Sequence, residues 1–173
     1  MSELKIIPVT ESELEKLKYL SIKTFQETFS DQNTDDNMNE YLRLNMNSFK
    51  LLNELKNPNI EFYFAYNKTS LIGYLKLNYK DAQTENVLDN KAFEIERIYL
   101  LKTFQNMGYG KQLFKKIASI GKLKGYRRLW LGVWEHNLTA IKFYKKLKLK
   151  IFDKHNFIMG NDIQTDFLMK FDF

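Results

Sequence analysis

Apolar residues recur along this chain with two different periods, and the points where the period changes divide it into strands and helices. Leu4 to Val9 is a short apolar run that reads as a strand. Thr10-Glu11-Ser12-Glu13 follows with the spacing of a capping box, and Leu14, Leu17, Leu20, Ile22, Phe25 and Phe29 continue at helical spacing to a break at Ser30–Asn33. Thr34-Asp35-Asp36 opens a second short helix, and a third near Ser48 to Lys56 stops before the turn Asn57-Pro58-Asn59. The period then changes. Ile60 to Tyr66 and Leu71 to Tyr79, aromatic-rich and joined by Asn67-Lys68-Thr69-Ser70, predict a hairpin, and polar Lys80 to Lys91 predicts a loop.

Phe93 to Leu101 predicts a further strand. After a short turn, Gly110, Leu113, Phe114, Ile117, Ile120 and Gly121 fall at helical spacing, ended by Gly125 as a C′ glycine. Arg128 to Trp134 is a strand, Asn137 caps a helix carrying Leu138, Ile141, Phe143, Tyr144 and Leu147, and Leu149 to Asp153 and Thr165 to Phe173 predict two last strands. Repeats and linkers are absent. The expectation is one mixed α/β domain over residues 1–173, with about seven strands and four or five helices.

Composition narrows the chemistry. At 173 residues and 44% hydrophobic content the chain can bury a core, and few Gly (7) and Pro (2) argue against low complexity. With no cysteine, disulfides, thiolate metal sites and cysteine catalysis are excluded. No apolar leader and no run of roughly 18 apolar residues is present, so a cytoplasmic protein without a membrane partner is expected.

The net charge of +6 is unevenly placed: residues 101–154 hold 14 Lys and Arg against only Glu135 and Asp153, while the remainder holds 13 basic and 19 acidic residues. That division suits an anion over one half and a cation over the other, although solvated lysine-rich helices also account for it.

Between the strand ending at Leu101 and the helix beginning near Gly110 lies Gln105-Asn106-Met107-Gly108-Tyr109-Gly110-Lys111. A glycine-bearing strand-to-helix turn points backbone N–H groups and a positive dipole end at one place, which suits a phosphate. At Gly108 and Gly110 a Cβ is expected to stand in the ligand's way. The spacing fits neither a P-loop nor a dinucleotide fingerprint.

One strand later comes Asn137-Leu138-Thr139-Ala140-Ile141-Lys142-Phe143-Tyr144. Together the two segments resemble the GNAT superfamily of acyl-CoA-dependent N-acetyltransferases, matching its Q/R-x-x-G-x-G/A loop and its N-x-x-A-x-x-F-Y helix. The likeness extends to Phe25–Phe29, Gly73-Tyr74-Leu75-Lys76-Leu77-Asn78, Glu94-Ile95-Glu96-Arg97-Ile98-Tyr99, Leu131-Gly132-Val133-Trp134-Glu135 and Gln164-Thr165-Asp166, which look like the PaiA, polyamine-acetylating branch. Lys148-Leu149 departs from it, standing where that family usually has glycine and phenylalanine.

The resemblance implies a central, mostly antiparallel, splayed seven-stranded sheet flanked by helices. It implies acetyl-CoA as co-substrate, its pantetheine arm along the backbone of Ile98, Tyr99 and Leu100. Its pyrophosphate would lie on the N–H groups of Gln105, Asn106, Met107, Gly108, Tyr109, Gly110 and Lys111, and Asn137 and Tyr144 would reach the arm. Tyr144 is implied as the general acid for the departing thiolate and Glu96 as the base, acting directly or through water, with Glu94 as second candidate. Glu94 and Glu96, two apart on one strand, face the same side.

A polyamine such as spermidine or spermine is the expected acceptor, with Asp31, Asp35, Asp36 and Glu40 as its acidic attraction. A protein amine, an aminated antibiotic, or binding without turnover are the alternatives. His136 and His155 read as structural, so no metal is expected, nor a nucleic-acid partner; the protein is expected as a monomer or homodimer.

Overall fold

A computed structural model of the protein describes residues 4–85 and 88–173. Its strands are β1 (Leu4–Pro8), β2 (Ile60–Asn67), β3 (Ser70–Asn78), β4 (Ala92–Leu100), β5 (Arg128–Trp134), β6 (Lys150–Met159) and β7 (Asp162–Asp172). Its helices are α1 (Leu14–Phe29), α2 (Asp35–Asn45), α3 (Ser48–Lys56), α4 (Tyr109–Leu123) and α5 (Leu138–Lys146). The strands form one sheet in the order β1-β2-β3-β4-β5-β7-β6, every neighbouring pair antiparallel except β4 and β5.

Local chemistry accounts for most boundaries. Thr10 N–H donates to Glu13 Oε2 at 3.2 Å, the reciprocal half of the capping box, and α1 begins after one tight turn. Thr34, Asn47 and Asn137 each accept at the start of α2, α3 and α5, from Asn37, Lys50 and Ala140 N–H. Helix α4 ends on Gly125 at φ 81°, with Tyr126 N–H on Gly121 O and Gly125 N–H on Lys122 O, both 3.0 Å.

Helices α4 and α5 cover one face of the sheet. Leu113, Phe114, Ile117, Ile141 and Tyr144 pack there on Leu75, Leu77, Ile95, Leu129, Leu131 and Met169. On the other face, Leu17, Leu20 and Leu51 meet Phe62, Phe64 and Tyr74, and Phe25, Met38, Leu42 and Met46 meet Met159.

Two features of the sheet shape the site. The first is where β4 and β5 part: they pair only from Ala92↔Arg128 to Glu94↔Trp130 and then diverge. The second is a bulge in β4. Lys76 pairs with Arg97 but Leu77 with Ile95, which leaves Glu96 as the extra residue. The insertion shifts the alternation, so Phe93 and Ile95 share the α4 face with Ile98 and Leu100, while Tyr99 turns to the α1 face.

The last hairpin is longer than the sequence predicts. Strands expected over Leu149–Asp153 and Thr165–Phe173 run instead to Met159 and from Asp162, joined by Gly160-Asn161 with Gly160 at φ 61°. A register shift at Ile151/Asp153 and the charged run Asp153-Lys154-His155 interrupt the alternation that would have marked the strand. The polar connection expected over Lys80–Lys91 includes Asn86 and Val87, which lie outside the described residues.

Lys148, the departure from the family pattern, takes the left-handed C′ position of α5 at φ 70°, with Leu149 N–H on Tyr144 O at 3.0 Å and Lys148 N–H on Lys145 O at 2.9 Å. The turn is thus made with a residue that bears a Cβ penalty of roughly 1 kcal/mol. Its side chain is exposed. Lys148→Gly is therefore expected to stabilise the fold by about 1 kcal/mol, a rise of about 2–4 °C in Tm by thermal melting; a fall would show that the lysine side chain makes a needed contact.

Candidate active site

The parting of β4 from β5 opens a cleft of about 960 Å³ through the sheet, lined from both faces. Its α4–α5 side is built from Leu100, Gln105, Asn106, Gly108, Gly110, Lys111, Asn137 and Tyr144; its α1–α2 side from Phe29, Tyr41, Glu94, Glu96, Arg97, Phe157, Gln164 and Asp166.

The turn before α4 makes an anion cradle. Asn106 (φ 60°) and Gly108 (φ 82°) are both left-handed, an alternation that gathers successive N–H groups on one concave side, and the first N–H groups of α4 have no acceptor within the helix. Gln105 Nε2 anchors the turn on Leu100 O at 3.0 Å. These features fit a pyrophosphate. The N-terminus of α5, with Asn137, Leu138, Thr139 and Ala140 on the cleft wall, adds a second positive dipole end.

The structure gives each of the two glycines a reason of its own within the fold. Gly108 supplies the positive φ. At Gly110 a Cβ would lie 3.0 Å from the Phe143 ring, so glycine there lets the start of α4 approach the Phe143 side chain of α5. Of the seven residues expected around the phosphate, Tyr109 turns its side chain into the core and exposed Met107 is not on the cleft wall; for both, only the backbone could serve a ligand.

On β4, Ile98, Tyr99 and Leu100 pair with β3 on one side only. On the other side β5 has diverged, and the strand edge faces the cleft. Tyr144 projects from α5 and is 9% exposed; burial pushes its phenol above the ordinary tyrosine range, so it stays protonated at neutral pH.

Glu94 and Glu96 do share one side, because Asn78 Nδ2 donates to both, at 3.0 Å and 2.6 Å. Their surroundings differ. Burial by itself raises the Glu96 carboxyl, but Arg97 and Lys76 outweigh it and hold the group down at about 2. These residues form a charge-balanced quartet with Glu54: Lys76 Nζ lies 2.9 Å from Glu54 and 2.5 Å from Glu96, and Arg97 lies 3.3 Å from Glu96. Glu94, 3% exposed, has no cation beside it among the described residues. Burial dominates, raising its carboxyl above the usual range although Thr84 N–H (2.7 Å), Thr84 Oγ1 (2.5 Å) and Asn78 donate to it.

The loop after β3 spans this end of the cleft through three successive residues: Gln83 Oε1 accepts from Trp130 Nε1 at 2.7 Å, Thr84 holds Glu94, and Glu85 Oε1 lies 2.8 Å from His155 Nδ1. His155 therefore stands on the cleft wall. The Asp166 carboxylate first, 3.8 Å from Nε2, and then hydrogen-bonded Glu85 outweigh opposing burial and raise its imidazole to about 9. His136 also lines the cleft, its ring edge-on to Trp134 at 5.2 Å.

The acidic group expected to attract the acceptor is elsewhere. Asp31, Asp35, Asp36 and Glu40 are exposed on and before α2, where Asp35 and Asp36 complement the helix N-terminus, and none lines the cleft. The carboxylates that line the cleft are Glu94, Glu96, Asp166 and Glu27 of α1, the last accepting from Lys102 N–H at 2.7 Å. Lys76, Arg97, Asn78 and Tyr41 were not singled out as site residues by the sequence reading. One signal for the first two existed: a charged side chain inside an otherwise apolar central strand must find an internal partner.

Comparison with known proteins agrees with this geometry. The model of the acetyltransferase (GNAT) family matches residues 15–148. An uncharacterized N-acetyltransferase of the pepI 3′ region of Lactobacillus delbrueckii subsp. lactis is 44% identical over 170 residues, 98% of either chain. Among solved structures, the PaiA N-acetyltransferase of Thermoplasma acidophilum in complex with coenzyme A superposes with a TM-score of 0.80 at 25% identity over 100% of both chains. A probable acetyltransferase of Staphylococcus epidermidis does so at 0.77, with 14% identity over 98% of each.

Proposed function

The chain belongs to the GNAT family of acetyltransferases and is an acetyl-CoA-dependent N-acetyltransferase, and from that premise we propose that its acceptor is a polyamine such as spermidine, acetylated by direct attack in a ternary complex. The observation that carries the acceptor is the far side of the cleft, where buried Glu94 and partly buried Glu96 and Asp166 share the wall with aromatic rings (Tyr41 and Phe157, centroids 5.5 Å apart). Carboxylates and aromatic faces both favour an ammonium group. The CoA-bound PaiA protein of similar fold supports the same branch.

In the proposed reaction, acetyl-CoA lies against the α4 and α5 N-termini and the open edge of Ile98–Leu100, and the acceptor enters from the α1–α2 side. Its amine is protonated in solution, with a free pKa near ~10, so one proton must leave before attack. Glu94 is the better acceptor of that proton, because its carboxyl lacks a neighbouring cation, whereas Lys76 and Arg97 hold Glu96 ionised as a fixed anion. The nitrogen then bonds to the acetyl carbon, N–H groups at the β4 bulge polarise the carbonyl, and the carbon–sulfur bond breaks. Tyr144 gives its proton to the sulfur. Glu94 passes the first proton to solvent and then takes the second from the nitrogen, and Tyr144 regains a proton from solvent; the products are an acetamide, free CoA thiol and one released proton.

Initial rates with acetyl-CoA and spermidine varied together test the direct route. Intersecting reciprocal lines are expected, whereas parallel lines would require an acetylated enzyme and overturn it.

A further inference from the structure

Asp166 stands on β7 beside Trp134 of β5 and His155 of β6, facing the acceptor side of the cleft. Its Oδ2 lies 3.8 Å from His155 Nε2, and its Oδ1 is enclosed without any hydrogen-bond donor among the described residues. His155 is shared, since its Nδ1 lies 2.8 Å from Glu85. One imidazolium thus serves two carboxylates, which leaves one negative charge in excess on this wall. The buried cations do not cancel it: Lys76 and Arg97 are matched by Glu54 and Glu96.

The space in front of Asp166 is kept by a glycine. A Cβ on Gly132 would lie 3.2 Å from Asp166 Oδ2 and 3.6 Å from His155 Nε2, so any other residue there would crowd the carboxylate. Gly132 also lines the cleft, with Trp134 and Phe157 as aromatic walls. An enclosed carboxylate oxygen with no donor, an excess charge and aromatic faces are together complementary to a cation bearing several N–H groups.

We propose that Asp166 is a specificity-determining residue that holds a second, non-reacting ammonium of the acceptor, so that the enzyme selects amines carrying two or more cationic nitrogens over monoamines. This rests on the amine-acetylating reading above. The reacting nitrogen lies beside Glu94 and the β4 bulge, and the second nitrogen is drawn to the Asp166 carboxylate, which is 14% exposed. His155, a cation at the same carboxylate, opposes it.

The test is thiol release from acetyl-CoA with a series of α,ω-diamines and n-alkylamines of matched length, at fixed pH. The wild-type protein is expected to favour the best diamine at least ten-fold in kcat/KM. Asp166→Asn should reduce that diamine-to-monoamine ratio at least ten-fold, mainly through KM. Asp166→Glu should recover part of it, and His155→Gln should move the ratio the other way by lowering the diamine KM. A merely structural role would lower both amine classes alike. Unchanged melting and CoA binding of Asp166→Asn would show that the fold is intact. An unaltered ratio in folded Asp166→Asn, or no diamine preference in the wild type, overturns the assignment of Asp166. Absence of thiol release with every amine would instead overturn the amine-acetylating reading itself.

Discussion

Tyr144→Phe is expected to lower turnover at saturating substrates by about 10²–10⁴-fold while leaving CoA affinity nearly unchanged. The substitution keeps the ring, which packs in the core with Ile141 and Leu149, and deletes only the hydroxyl. Burial pushes the phenol up, so at neutral pH it is a proton donor and never a competing phenolate. Without it, a thiolate must depart unprotonated into a partly dry cleft. CoA binding by calorimetry and single-turnover thiol release separate the two quantities. Undiminished turnover with intact binding would remove Tyr144 from the chemistry.

The second large effect concerns the paired carboxylates. Glu94→Gln is expected to cost about 10²–10⁴-fold in turnover and to abolish the acid limb of the rate profile. The sign follows from the environment. Burial lifts the Glu94 carboxyl above its ordinary range, so activity falls as pH drops through that raised value, and a glutamine there cannot titrate.

Glu96→Gln behaves differently. It strips one anion from a buried quartet and leaves Lys76 and Arg97 facing Glu54 alone, with an expected loss of about 3–5 kcal/mol of stability. Urea unfolding and pH profiles of both variants distinguish them. A stable Glu96→Gln protein without activity, beside an active Glu94→Gln protein, would make Glu96 the base.

The sequence made visible those parts of the protein whose determinants are local. Thr10/Glu13, Thr34, Asn137 and Gly125 start or end helices through contacts within a few residues, and the helical period of residues 110–121 is plain. The turn at Gln105–Lys111 was readable for the same reason, although the role of Gly110 depended on Phe143, more than thirty residues away.

What escaped the sequence is set by distant pairing. The β4 bulge exists only relative to β3, and it reverses the faces of Ile98 and Tyr99. The inequality of Glu94 and Glu96 depends on Lys76 and Glu54, on β3 and α3. Asp31, Asp35, Asp36 and Glu40 carry the expected charge but lie on and before α2 rather than on the cleft. The acidic wall was assembled instead from Glu94 on β4 and Asp166 on β7, which no local pattern connects.

The identity of the acceptor is tested by thiol release from acetyl-CoA with spermidine, a peptide with a free N-terminus and an aminoglycoside, compared as kcat/KM under one set of conditions. The geometry of the acidic, aromatic-walled acceptor side predicts that spermidine is preferred at least ten-fold. A preference for the peptide or the aminoglycoside, or no discrimination among the three, would contradict it.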